Sequence, residues 1–476
     1  MPRKPVIIAL LVAIAIVLAS IWLLRPPSAS PSEGQQPVLD VDAASIVSME
    51  LIGGQGDRGR VERTPIGWQY VGQGGMPWAV SDGRARAAAR VLADLQGRPV
   101  ENAQDLPPVA ATLSIRDARG RTLALGLREP VLGGRRVVDR VAADASVQRF
   151  AIDEPLYEAF VETGMAAWRD PGLLGALPGR AARLELSRGT SRLELARVDG
   201  RWSLRSPLAT RASEPAVDAL ITALARLRVE RFDQPAPPLV GADDPVTITL
   251  EADTVVPSQD RQQPDRVIER LVLTLHGAAD TGGRLTLVGV SRQREPRAAG
   301  AQPQELGSTY VALDLEPLER VALEPRGYVA RTALDGDASL IAGLTLNGRA
   351  YERTADGWAE NGVELAADRA AALDALATVL TQSPMTGVEL TDQPQPLGRS
   401  SAPVSIEART ITGDVIGPAE GLSLLVIETP QGASGVLIVG DGVTREYTDE
   451  QTLAVARAAL VLAMEAAAAS ETPGEG

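Results

Sequence analysis

One histidine, no cysteine and a surplus of carboxylates bound the chemistry open to this chain. His276 ends an alternating strand, Leu271-Val272-Leu273-Thr274-Leu275-His276. A nucleophilic triad built on it needs a positioned serine, and no Gly-x-Ser-x-Gly elbow is present. A single imidazole without thiolates leaves too few soft ligands for a zinc site, and disulfides and cysteine nucleophiles are excluded outright. Gly54-Gln55-Gly56-Asp57-Arg58-Gly59 matches the dinucleotide fingerprint letter for letter. That fingerprint works only when a helix follows, so that its N-terminus meets the pyrophosphate. Here Arg60–Thr64 reads as a strand, so the glycines read as a hairpin loop. Asp40/Asp42 and Asp335/Asp337 carry oxygen ligands of the kind calcium takes, but neither pair sits in a complete calcium loop, and Asp335-Gly336-Asp337 reads as a turn. Arg135-Arg136 reads as a solvated basic spot. No catalytic, cofactor-binding or metal-ligating residue is assigned, and no cofactor is expected.

The elements that would position any such group recur three times. A strand pair leads to a turn and a tryptophan: Pro65-Ile66-Gly67-Trp68, Asp199-Gly200-Arg201-Trp202, and Asp356-Gly357-Trp358. An amphipathic helix follows each, and then a proline-rich connector: Leu106-Pro107-Pro108, Pro235–Leu239, and Pro394–Leu397. In the second copy Leu184, Leu186, Leu193 and Leu195 alternate with polar residues, giving one buried and one wet face. Its helix places Val217, Leu220, Ile221, Leu224 and Leu227 on one stripe. Asn347-Gly348 is a strong two-residue hairpin signal in the third copy. Thr254–Arg270 and Ser291–Ser308 are rich in Pro, Gln, Arg and Asp and read as exposed loops. The repeated tryptophan reads as a core anchor under the helix. The expected fold class is α+β: an N-terminal transmembrane helix, then three repeated units, each a mostly antiparallel sheet with a packed helix.

Residues 6–24 form an uncharged apolar stretch of the length that crosses a bilayer. Arg3 and Lys4 precede it, which orients the N-terminus to the cytoplasm. The expected organisation is a cytoplasmic tip at 1–5, a membrane helix at 6–24, a linker at 25–37, and units at 38–168, 169–330 and 331–469. A disordered tail is expected at 470–476. This makes the lipid bilayer a partner through residues 6–24 and places the bulk of the chain outside the inner membrane. The formal charge of −14 repels phosphate backbones, so no nucleic-acid partner is expected.

The anchor, the strand–strand–Gly-Trp–helix unit and the joint at Trp168-Arg169-Asp170-Pro171-Gly172-Leu173-Leu174 resemble the bacterial family known as domain of unknown function 4340. In that family a similar Arg-Asp…Leu-Leu stretch precedes a fresh repeat, and Arg331–Leu340 is a worn version before the third copy. The resemblance covers nearly the whole chain. It implies an extracytoplasmic, membrane-anchored protein, associated with transporter-like or gliding-motility components, and it brings no catalytic residues. The expected function is therefore a non-enzymatic scaffold or binding protein of an envelope complex, auxiliary to an ABC-type transporter or gliding-type machinery, acting through sheet edges and the polar loops of the second unit. Two alternatives are an envelope glycan hydrolase using a carboxylate pair and a carrier or sensor of an apolar ligand.

Overall fold

The computed structural model describes residues 34–470, apart from 54–57, 65–66, 73–75, 102–105, 130–135, 142–145, 154, 163, 176, 238–244, 257–264, 298–301, 322, 392–398, 419–420 and 429–433. Three large antiparallel sheets dominate the described chain, of which 49% is strand. They share one topology. With nine strands of each copy numbered in chain order, the sheet runs 4-3-2-1-6-7-8-9-5 every time. The first copy adds Gln36–Pro37 at an edge, and the third adds two short strands off the main path. A helix always separates strands four and five: Asp82–Ala93, Glu214–Ala225 and Ala367–Gln382.

The chain folds this way because each copy opens on alternating sequence. In the second copy Leu184 pairs with Leu195 and Leu186 with Leu193 on the buried face. Arg183, Glu185 and Glu194 then fall on the other face and form ion pairs across it. Asn347 and Gly348 take the positive φ values that a tight two-residue hairpin demands. The helix covers the apolar face. In the third copy Leu373, Leu376, Ala377 and Leu380 pack on Leu344, Leu346, Ile406, Leu424 and Ile438, beside Ala456 and Ala459 of the helix Glu450–Ser470. Trp68, Trp202 and Trp358 are buried, at 6%, 2% and 1% exposure.

The fold class departs from the α+β expectation: the described chain is mostly β. Much of the difference lies in stretches that read as loops. Strand Val246–Val256 pairs with Asp265–Ala278, and Leu285–Pro296 pairs with Gln304–Asp314, so the polar segments are largely long hairpin arms. Their charges are accommodated by cross-strand pairing, as where Arg270 reaches Glu251 at 2.7 Å. The expected membrane helix at 6–24, the start of the linker and the tail after residue 470 lie outside the described residues. Among the described residues no helix is long and apolar enough to cross a membrane. The single-pass inner-membrane placement expected from residues 6–24 therefore finds no spanning helix among the described residues to support it.

The chain divides into two compact units, Met1–Pro171 and Gly172–Gly476. The first holds one sheet and the second holds two.

Candidate functional site

Every copy places an arginine directly across from its tryptophan. Arg63 faces Trp68, Arg197 faces Trp202, and Arg353 faces Trp358 in neighbouring antiparallel strands. Directly opposed cross-strand side chains stand close enough for the guanidinium to lie over the indole. It lies 5.4 Å from the ring centre at Trp202 and 4.9 Å at Trp358.

What differs is the residue the helix presents to this pair. The eighth residue of the helix is Ala89 in the first copy, Ile221 in the second and Asp374 in the third. In the third copy the Asp374 carboxylate accepts from Trp358 Nε1 at 2.9 Å and pairs with Arg353 Nη2. Arg353 Nη1 also donates to the Ala338 carbonyl at 3.2 Å. The arrangement is a closed triad. In the second copy a branched apolar side chain stands at the eighth position, and Trp202 Nε1 finds no acceptor among the described residues.

In the first copy Ala89 is too short to reach either partner. An open cleft of about 710 Å³ results, bordered by Arg63, Trp68, Asp82, Arg86, Ala89 and Arg90. Arg63 Nη1 donates to Ala44 O at 3.1 Å, matching the third-copy contact. Arg86 is paired with Asp82, one helical turn earlier, at 2.9 Å. Arg90 makes no ion pair among the described residues. Asp42, also on the rim, is engaged by the Ala44 backbone N–H at 3.3 Å. The cleft thus gathers three guanidiniums and two carboxylates, Asp42 and Asp82, beside an indole in a chain whose formal charge is −14.

The residues singled out from sequence lie elsewhere or have structural partners. His276 is exposed on its strand, tilted against Tyr310 with ring centres 5.7 Å apart. Gly289 lies between them; a Cβ there would come within 3.1 Å of His276 Nε2. Of the glycine-rich loop, residues 54–57 lie outside the described chain, and Gly59 belongs to strand Arg58–Thr64. Asp337 caps a short turn by accepting from Ser339 N at 2.9 Å, and that bond holds its carboxyl below the usual range. Asp335 pairs with Arg201 at 3.0 Å and with Arg211. Arg135 is outside the described residues; Arg136 pairs with Glu162 at 2.8 Å. Among the described residues no three or more His, Asp or Glu side chains gather as a metal site would require.

The cleft was not among the sequence-derived candidates. Its signal is there nonetheless, as an Arg-x4-Trp spacing kept in all three copies with a variable eighth helix residue.

Comparison with known proteins adds no relative: no family model, no curated protein and no solved structure matches the chain.

Proposed function

We propose that this chain is a non-catalytic binding protein, a scaffold component of a larger assembly, and that its first copy recognises a carboxylate carried by a partner. The observation that carries the proposal is the eighth helix residue. The third copy supplies its own carboxylate to the Arg–Trp pair through Asp374. The first copy keeps the pair, replaces that residue by Ala89, and adds Arg86 and Arg90 at the rim. A carboxylate from outside would meet the same donors that Asp374 meets within the chain. Charge-assisted hydrogen bonds from a guanidinium are the strong ones, and the acidic remainder of the surface makes a basic cleft selective.

One further observation supports a binding role over catalysis. Among the described residues the carboxylates whose pKa is displaced, Asp117 and Asp337, are displaced downward, Asp117 mainly by the hydrogen bond from Arg121. A general acid needs the opposite direction. That the chain belongs with the domain of unknown function 4340 family, which brings no catalytic residues, is part of the same proposal and not an observation in its favour.

The recognition mode proposed is a cleft, not strand addition. The outermost strands of the three sheets are two or three residues long, among them Pro77–Ala79, Thr210–Arg211, Val229–Arg231 and Gly387–Glu389. Edges that short give little template for a partner strand.

Calorimetric titration with citrate and with a hexaglutamate peptide tests the proposal. The expected result is saturable binding to the wild-type chain, weakened about tenfold or more by Ala89→Asp and by Arg63→Ala. Absence of saturable binding by either probe, or equal binding by both variants, would overturn it.

A further inference from the structure

A second cluster of cationic groups lies within the unit Gly172–Gly476, where the segment Tyr328–Asp335 joins the second sheet to the third. Two arginines grip that segment. Arg211, on the short strand Thr210–Arg211, donates through Nη2 to the carbonyls of Thr332 at 2.7 Å and Ala333 at 2.6 Å. Its Nη1 pairs with Asp335. Arg445, on strand Val443–Tyr447, donates through Nε to the Ala330 carbonyl at 3.2 Å.

Arg445 is wholly buried, at 0% exposure, and leaves the same side of its strand as Tyr447. Its register partner in the next strand is Ile438, also at 0% exposure, so a guanidinium stands at the margin of an apolar core. Both of its Nη atoms find no acceptor among the described residues. Neither does the hydroxyl of Tyr447, nor Nε of Arg211. Asp335, the carboxylate paired with Arg211, is shared with Arg201. A buried cation with unmade hydrogen bonds costs several kcal/mol, and a like charge nearby raises that cost. Burial, followed by the charge of Arg211, lowers the Arg445 pKa to about 10, so the guanidinium stays charged at neutral pH. Burial pushes the Tyr447 phenol up to about 12, so it stays a donor.

Two neighbouring cations and a phenol, each with a buried N–H or O–H left unmade, are the chemistry of an anion site, and Asp441 and Asp335, which also act on Arg445, leave those donors unmet. We infer that Arg445, Tyr447 and Arg211 bind a small inorganic anion of chloride's size between the second and third sheets. A spherical halide accepts from several donors at once without a directional demand. Complete burial of Arg445 favours it over a bulkier oxyanion. The bound ion would offset the charge of both arginines and fasten the Tyr328–Asp335 joint.

Thermal unfolding of the full chain at constant ionic strength, with gluconate exchanged for chloride, tests this. The expected result is a Tm that is flat at low chloride and climbs with the logarithm of the chloride concentration once the site fills, as ligand linkage requires. Arg445→Met is expected to lose the chloride response while matching or exceeding the wild type without chloride, because an apolar isostere removes the buried charge. Tyr447→Phe is expected to raise the chloride concentration at which Tm begins to climb, and Arg205→Met, at an exposed arginine, to leave it unchanged. In bromide-soaked crystals an anomalous peak is expected within hydrogen-bond reach of Arg445. A Tm indifferent to chloride, or an equal response in Arg445→Met, would overturn the inference. So would loss of stability in Arg445→Met both with and without chloride, since that marks a purely structural arginine.

Discussion

At the residue scale the same pair of side chains has three fates, decided by one helix position. Where that position is Asp374, the Arg353–Trp358 pair is closed. Asp374→Ala removes a hydrogen-bond acceptor and an ion-pair partner at a half-exposed site, and about 1 kcal/mol of stability is expected to go with it in urea denaturation. Asp139 makes the contrast. It receives Arg128 through two bonds, at 2.8 and 2.6 Å, with both side chains nearly buried. Asp139→Ala leaves that guanidinium nearly buried without a counter-charge, its Nη1 still donating to the Pro107 carbonyl, and a loss of about 3–5 kcal/mol is expected in the same measurement. Tyr157 gives a pH signature. Its hydroxyl sits 2.8 Å from each of the carbonyls of Arg128 and Val137, and burial pushes its pKa up to about 12. A phenol in the unfolded chain ionises near pH ~10. Between those values the unfolded chain has lost a proton that the folded chain keeps. The contribution of Tyr157 is therefore whole below pH ~10 and declines as pH rises toward the folded value. The urea midpoint is expected to fall more steeply over this window in wild type than in Tyr157→Phe.

At the element scale the helix and the sheet hold each other. Leu376 is at 0% exposure between the helix Ala367–Gln382 and the third sheet. Leu376→Ala is expected to cost about 2–5 kcal/mol, while Val461→Ala on the exposed side of the last helix costs little. Chemical denaturation of the two variants checks the contrast. The order of elements was legible in the sequence because tryptophan turns and proline connectors punctuate it three times. The extent of the strands was not. Asp265–Arg270 and Ser291–Pro296 carry too many charges to read as strand, and only pairing across the sheet makes the charges tolerable, as between Arg292 and Glu269 at 3.4 Å. The cleft was hidden for a related reason. An arginine five residues before a tryptophan is unremarkable until antiparallel register sets the two side by side, and an alanine in a helix carries no signal until a sister copy shows a carboxylate there.

At the scale of the whole molecule, one nine-stranded plan is used three times within two compact units. The second and third sheets belong to one unit because the segment between them is bonded to both. Ser213 N donates to Tyr328 O at 2.7 Å and Ala330 N to Arg211 O at 3.0 Å. Further along, Leu334 N donates to Leu380 O at 2.7 Å and Met385 N to Arg331 O at 3.0 Å. A fragment covering residues 172–476 is therefore expected to unfold in a single calorimetric transition, and two separated transitions would count against this joint. Repetition also frees individual copies to diverge: a copy that no longer needs its own carboxylate can keep the donors for another molecule.

An experimental structure of the Ala89→Asp variant tests that central idea most directly. The new carboxylate is expected to accept from Trp68 Nε1 and to pair with Arg63, filling the cleft as Asp374 fills its counterpart. A carboxylate turned to solvent, with Arg63 and Trp68 unmoved and the cleft still open, would contradict the account.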